Sequence, residues 1–133
     1  MIEDQTVLEA KRIGVLSCKI GTRLGECARC MVSEDVSALV VVDNDGCLAG
    51  IISRTDLLRA MLASSEWDTH NIEDYMAADV VTVDPETRLS QVAELLLQKH
   101  IHRVVVVREE DGKRSPISVV SAGDLVYHMV KEM

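Results

Sequence analysis

Two stretches of this chain carry residues able to hold a small polar ligand. They are Gly50-Ile51-Ile52-Ser53-Arg54-Thr55-Asp56-Leu57 and Ile117-Ser118-Val119-Val120-Ser121-Ala122-Gly123-Asp124-Leu125. In each, a serine stands three positions before an aspartate. A serine hydroxyl in that place accepts from a free N–H of a first helical turn. The carboxylate reaches back to the serine N–H, which completes a capping box. The same junction leaves spare backbone N–H groups at the positive end of a helix dipole, a setting that suits phosphate. A single Ser-x-x-Asp pair serves equally well simply to start a helix. Two copies at matched places in a repeated chain carry more weight.

The elements that must position these pairs follow from local pattern. Ile51 and Ile52 are β-branched and follow a glycine, as at the end of a buried strand. Leu57, Leu58, Met61 and Leu62 then recur at helical spacing, so the period changes at Ser53. Upstream, Thr6 to about Lys11 reads as a helical turn capped by Thr6. Ile13 to Cys18 is a strand candidate, and a helix runs from about Leu24 to Val32 behind Thr22. Leu39 to Val42 is a near-continuous apolar strand, so both of its faces are expected to be covered. Asp43-Asn44-Asp45-Gly46 has hairpin chemistry. The helix after Ser53 reaches about Ala63, and Ser64 to His70 is a polar link.

The pattern then begins again. Asn71 to Met76 matches the Thr6 segment, and Val80 to Val83 is a strand before the turn Asp84-Pro85-Glu86. Thr87-Arg88-Leu89 repeats Thr22-Arg23-Leu24 at a shift of 65 residues, and Val104 to Val107 lies on Leu39 to Val42 at the same shift. Glu109-Glu110-Asp111-Gly112 is a slightly longer hairpin, after which Asp124 lies on Asp56 at a shift of 68. The repeat predicts an α+β (α/β) fold of two β-α-β-β-α lobes, a first domain over 6–64 and a second over 71–133. One such lobe alone buries little surface, so the two are expected to pack together.

Composition narrows the function. Apolar residues make up 47% of the 133, enough for a core. No apolar run reaches a membrane span and no basic region precedes an apolar segment, so a soluble, cytoplasmic protein is expected. The net charge of −8 and the aromatic content of 2% argue against a nucleic-acid partner. A small anion remains possible, since a pocket can be basic in an acidic protein. Cys27-x-x-Cys30 invites a metal or redox reading. The repeat places Cys18, Cys27 and Cys30 on Val83, Val92 and Leu95, which argues for core packing instead. His100 and His102 alternate without a cysteine or acidic partner to complete a zinc set. No site for a metal or a resident cofactor is therefore expected.

Two lobes that each end in a Gly/apolar-x-Ser-x-x-Asp junction resemble a tandem pair of cystathionine-β-synthase (CBS) domains, the Bateman module. Val36-Ser37-Ala38-Leu39-Val40-Val41-Val42-Asp43 and Ile101-His102-Arg103-Val104-Val105-Val106-Val107 are also similar to that family. The likeness runs from about Thr6 to the end. It implies a pseudo-twofold pair with two clefts that bind adenosine-containing ligands, most often AMP, ADP or ATP, sometimes S-adenosylmethionine or NAD. By the resemblance, one cleft uses Asp124, Ser121, Gly123, Val119, His102 and Arg103, with Thr22, Val36 and Ser37 opposite. The other uses Asp56, Ser53, Thr55 and Ile51, with Thr87, Ile101 and His102 opposite. The aspartates would bind ribose hydroxyls, and a carboxylate can indeed accept from two vicinal hydroxyls. Ser118 stands where the first motif has Gly50, a departure from the family pattern.

The function expected is a ligand-sensing regulatory module without catalysis. A dimerisation unit with unused clefts is the alternative. No Gly-rich P-loop and no Gly-x-Ser-x-Gly elbow points to an enzyme. The helices Leu24–Val32 and Leu57–Ala63 carry apolar residues to spare, and the resemblance implies a homodimer; a client protein is possible. Arg103 falls where the first lobe has Ala38, so the Asp124 cleft is expected to bind nucleotide more tightly. Arg54 is the residue that could offset this.

Overall fold

A computed structural model describes residues 4–11 and 14–133. Leu16–Val80 forms one compact unit, here the first. Val81–Met133, joined by the N-terminal residues up to Val15, forms the second. Each contains a three-stranded sheet and the same succession of elements. In the first unit these are β1 (Ser17–Lys19), α2 (Leu24–Glu34), β2 (Ala38–Val42), β3 (Leu48–Ser53) and α3 (Arg54–Ala63). In the second they are β4 (Thr82–Val83), α4 (Leu89–Lys99), β5 (Arg103–Glu110), β6 (Lys113–Ser121) and α5 (Ala122–Lys131). A short α1 (Val7–Ala10) precedes them. The β-α-β-β-α order is the one the repeat predicts.

Both sheets place the middle strand between a parallel and an antiparallel neighbour. The valine-rich strands occupy that middle position, which explains their continuous apolar runs: both faces are covered. Val40, Val41, Val104 and Val105 are fully buried. Even the irregularities repeat. The ladder slips between Val41 and Val42 in one sheet and between Val106 and Val107 in the other. α2 ends on Asp35 and α4 on His100, both left-handed with φ near 50° (52° and 53°). His100 is thus a helix cap.

The compact units differ in composition from the sequence repeats. The Thr6 turn docks on the second unit: Val7 N–H donates to Thr87 O (2.8 Å) and Leu89 N–H to Gln5 O (2.8 Å). The equivalent segment at Asn71 docks on the first: Ile72 N–H donates to Thr22 O (2.9 Å) and Leu24 N–H to His70 O (2.9 Å). Val7 and Ile72 are buried anchors at 2% and 0% exposure. Each segment satisfies orphan N–H and C=O groups at the start of a helix, and Thr6 and Asn71 cap their own turns.

Several local expectations change. Ile13, the start of the expected strand Ile13–Cys18, lies outside the described residues. The strand itself covers Ser17–Lys19, because Gly14 leaves it to donate to Ile117 O in the second unit (2.8 Å). The strand expected over Val80–Val83 is only Thr82–Val83. The second hairpin is tighter than its sequence suggests. Glu109 and Glu110 pair with Arg114 and Lys113, leaving a turn of Asp111 and Gly112 with φ of 53° and 77°. Positive φ at both central residues matches the twist of the flanking strands. The polar link after α3 is structured too: Trp67–Thr69 forms a 3-10 turn, and Trp67 packs against the first core.

The three core cysteines sit as the repeat requires. Cys27 is buried, with Cys18 and Cys30 packed on the same cluster. Their counterparts Val83, Val92 and Leu95 belong to the second core. All four cysteines are free thiols, and no metal-holding group of His, Cys, Asp or Glu occurs among the described residues. No helix among the described residues is long and apolar enough to cross a membrane.

Candidate functional site

In the first unit, β3 ends at Ser53 and α3 begins at Arg54. The apolar strand stops there because the Ser53 hydroxyl offers the next turn a cap. Ser53 Oγ accepts from Asp56 N–H (3.4 Å), while Ser53 N–H (2.8 Å) and its hydroxyl (3.0 Å) both donate to Asp56 Oδ2. Arg59 Nη1, one turn on, donates to Asp56 Oδ1 (2.8 Å). Both carboxylate oxygens are therefore engaged, and the Asp56 side chain is 12% exposed.

The second unit builds the same junction with a different counter-ion. Ser121 N–H donates to Asp124 Oδ2 (2.8 Å), and Ser121 Oγ accepts from Asp124 N–H (3.1 Å). The cation is Lys11, whose Nζ lies 2.6 Å from Asp124 Oδ2. Oδ1 takes part in none of these bonds, and the side chain is 34% exposed. Burial pushes the Asp124 carboxyl up, but the Lys11 and Ser121 hydrogen bonds and the Lys11 charge outweigh it and hold it below its ordinary value.

The expected residues of the Asp124 site that belong to this unit do gather. Arg103 pairs directly across the ladder from Ser121, and His102 O accepts from Ala122 N–H (2.9 Å). Val119 lies two residues up the strand, opposite Val105. Gly123 is exposed at the helix start. In the first unit the corresponding acceptor is Ser37 O, to which Arg54 N–H donates (3.1 Å), and Ala38 pairs across from Ser53. Ile51 spends its backbone on Ala77, each donating to the other's carbonyl at 2.9 Å. Thr55 is exposed on the first turn of α3. Arg54 reaches Asp35 (3.6 Å) at the surface. Val36 is half-buried on the first core. Thr22 and Thr87 point their hydroxyls backward, to Lys19 O (2.6 Å) and Asp84 Oδ1 (3.2 Å). Thr87 also lines an open groove of about 920 Å³ with Asp84, Gln91 and Glu94. Ile101 is half-buried on the second core.

Sequence reasoning missed three participants: Lys11, Arg59 and the Met76–Ala77 segment. Arg59 was findable, since it stands one turn beyond Asp56 on the same helix. Lys11 falls on Met76 at the 65-residue shift, within two segments that already align. What those segments do is visible only in three dimensions. A Cβ on Gly50 would lie 2.7 Å from Ala77 O and 2.8 Å from Met76 Sδ, so only glycine fits there. Ser118, the counterpart of Gly50, is buried and lines a small cavity with Lys11. The departure from glycine is thus accommodated by a different neighbour.

A family model described as "CBS domain" matches residues 10–63 and 72–131. Among curated proteins, a homoserine O-acetyltransferase of Methanohalobium evestigatum is 27% identical over 111 residues, 84% of this chain and 21% of that protein. The CBS domain-containing protein CBSX3, mitochondrial, of Arabidopsis thaliana is 29% identical over 122 residues, 88% of this chain and 57% of that one. The chain thus spans between about a fifth and three fifths of the length of these relatives. Among solved structures, the CBS domain pair of protein MJ0100, in complex with 5′-methylthioadenosine and S-adenosyl-L-methionine, superposes with a TM-score of 0.85. The match covers 97% of this chain and 98% of that one at 22% identity, a likeness of fold.

Proposed function

This chain belongs to the CBS domain family and carries the domain twice, and from that premise we propose that it is a regulatory module that senses an adenosine-containing ligand, AMP, ADP or ATP, without catalysis of its own. One observation carries the reading. Each unit holds an aspartate at a strand-to-helix junction, oriented by its own capping serine, at the positive end of a helix dipole. A fixed carboxylate suits a ribose diol, and the helix start suits a phosphate. The 5′-methylthioadenosine and S-adenosyl-L-methionine in the MJ0100 structure support the adenosine class and keep S-adenosylmethionine, with NAD, as the alternative ligands.

The two junctions are unequal on this reading. Asp124 keeps an oxygen outside its internal bonds, and Arg103 stands across from its serine. Asp56 has both oxygens engaged, and Ala38 stands where Arg103 would be. A charge-assisted contact to phosphate contributes about 1.5–3 kcal/mol, tenfold or more in affinity. Nucleotide should therefore bind more tightly at Asp124. Calorimetry on Asp124→Ala, Asp56→Ala and Arg103→Ala tests this: the first and third lose the tight phase and the second keeps it. A thermal-shift panel of adenosine compounds tests the wider reading, since a ligand of the native state raises the melting temperature. No shift with any of them leaves the module as a structural unit.

A homodimer is the second part of the proposal. Of the two helices expected to carry the contact, α2 buries Leu24, Cys27 and Met31 and exposes Val32, whereas α3 exposes Leu58, Met61 and Leu62; α5, not expected from the sequence, exposes Val126, Tyr127, Met129 and Val130. Such apolar faces mark association sites, and a twofold contact between copies would cover them. Light scattering that finds only a 14.7 kDa species at micromolar concentration would reject it.

A further inference from the structure

We infer that Lys11 makes the Asp124 junction selective for an anionic ligand over a neutral one, by exchanging the Asp124 carboxylate for a negative group on the ligand. The inference rests on the adenosine reading above. Lys11 Nζ lies 2.6 Å from Asp124 Oδ2, the oxygen that also accepts from Ser121 N–H. A ribose whose two hydroxyls meet the carboxylate side by side places one on each oxygen, as a bidentate donor does. Oδ2 would then serve Ser121 N–H, Lys11 and a ribose hydroxyl together, which exceeds its two lone pairs. Lys11 is the only one of the three on a flexible stem, so it is the group that moves. A neutral nucleoside breaks the ion pair and returns nothing to the ammonium. A nucleotide offers its phosphate to the released cation, a charge-assisted contact of the same kind.

The first unit shows that this cation is not needed to build the junction. At the position of Lys11 it has Met76, which packs on Gly50. Its aspartate is neutralised instead by Arg59 on its own helix, where the second unit has Tyr127. The two capping-box hydrogen bonds are present in both. The second unit has therefore moved the counter-ion from the capped helix to a separate segment that docks across it. A cation on a separate segment can leave the carboxylate without disturbing the helix.

The test follows the backbone amides of Ser121, Ala122 and Gly123 by NMR while AMP or adenosine is added to the full chain, so that the Asp124 junction reports alone. In the wild type AMP should bind at least about tenfold more tightly than adenosine. In Lys11→Met, the residue of the first unit, adenosine should bind more tightly than it does to the wild type and AMP less, bringing the ratio to within about threefold. Lys11→Arg should restore it. Lys11→Gln gives the same readout if the methionine variant fails to fold. An unchanged ratio in Lys11→Met or Lys11→Gln, with binding intact, overturns the role of Lys11 and leaves the adenosine reading standing. If neither compound moves these amides in the wild type, nor those at Arg54–Asp56, the adenosine reading fails and this inference with it.

Discussion

Asp56 and Asp124 occupy one position in two copies of the same motif, yet they answer to different cations. The Asp124 carboxyl is depressed because Lys11 and Ser121 outweigh its burial. A carboxyl whose folded value lies below its unfolded value binds fewer protons when folded. Its contribution to stability is complete above the ordinary 3.8 and disappears as pH falls through the lower folded value. Removing the cation should weaken this dependence, since the Ser121 hydrogen bonds remain. Acid titration of stability should show a shallower loss below about pH 4 for Lys11→Met than for the wild type, with the two converging at the acid extreme. Gly50 makes a second prediction at this scale. Gly50→Ala puts a methyl 2.7 Å from a backbone carbonyl, and overpacking of that kind costs about 1–3 kcal/mol. Ser118→Ala, at the matching position, should cost less than Gly50→Ala in the same denaturant titration. The cysteines make a third. Cys27→Val with Cys30→Leu copies the second core, so stability should change by less than about 1.5 kcal/mol. Stoichiometric zinc in the wild type would overturn the packing reading.

Among elements, the short N-terminal turn has the most consequential placement. Val7 opens the first repeat in sequence but is buried among Val83, Leu89, Val92 and Val104 of the second unit. Ile72 stands in the equivalent place among Leu24, Leu39 and Ile52 of the first. Truncating an anchor should therefore loosen the unit it docks on. Val7→Ala removes two methyls from a fully packed site, about 1–3 kcal/mol by the large-to-small scale. Native-state hydrogen exchange should then accelerate in α4 and β5 more than in α2 and β2. The reverse pattern would contradict the docking. The 67–69 turn is the other element whose role exceeds its sequence. A Cβ on Gly25 would lie 3.1 Å from Asp68 O, so α2 has a glycine where this turn crosses it.

For the whole molecule, each unit has its own core and its own junction; the first is continuous in sequence, while the second is completed by the N-terminal turn from the far end of the chain. The single tryptophan, Trp67, belongs to the first unit. Its fluorescence reports that unit, whereas helical circular dichroism reports both. If the units unfold together, the two signals share one midpoint in denaturant. A fluorescence midpoint displaced from the dichroism midpoint would show that each unit unfolds independently.

The repeat, the class of fold, the strand-to-helix junctions and the capping boxes were legible in the residues alone. They depend on period, turn chemistry and side-chain reach over three or four positions, all of which are local. The core role of Cys18, Cys27 and Cys30 was legible as well, because a second copy of the same structure supplies Val83, Val92 and Leu95 for comparison. Other features depended on the tertiary structure. Which unit receives the Thr6 turn and which the Asn71 segment is a matter of long-range docking, and each turn's own sequence suits either. Which cation neutralises each aspartate follows from that docking. Lys11 is 113 residues from Asp124 in sequence, and no spacing rule reaches so far. Gly50 and Ser118 differ for the same reason: what a β-carbon meets is set by the chain that crosses it, and that chain comes from elsewhere in the fold.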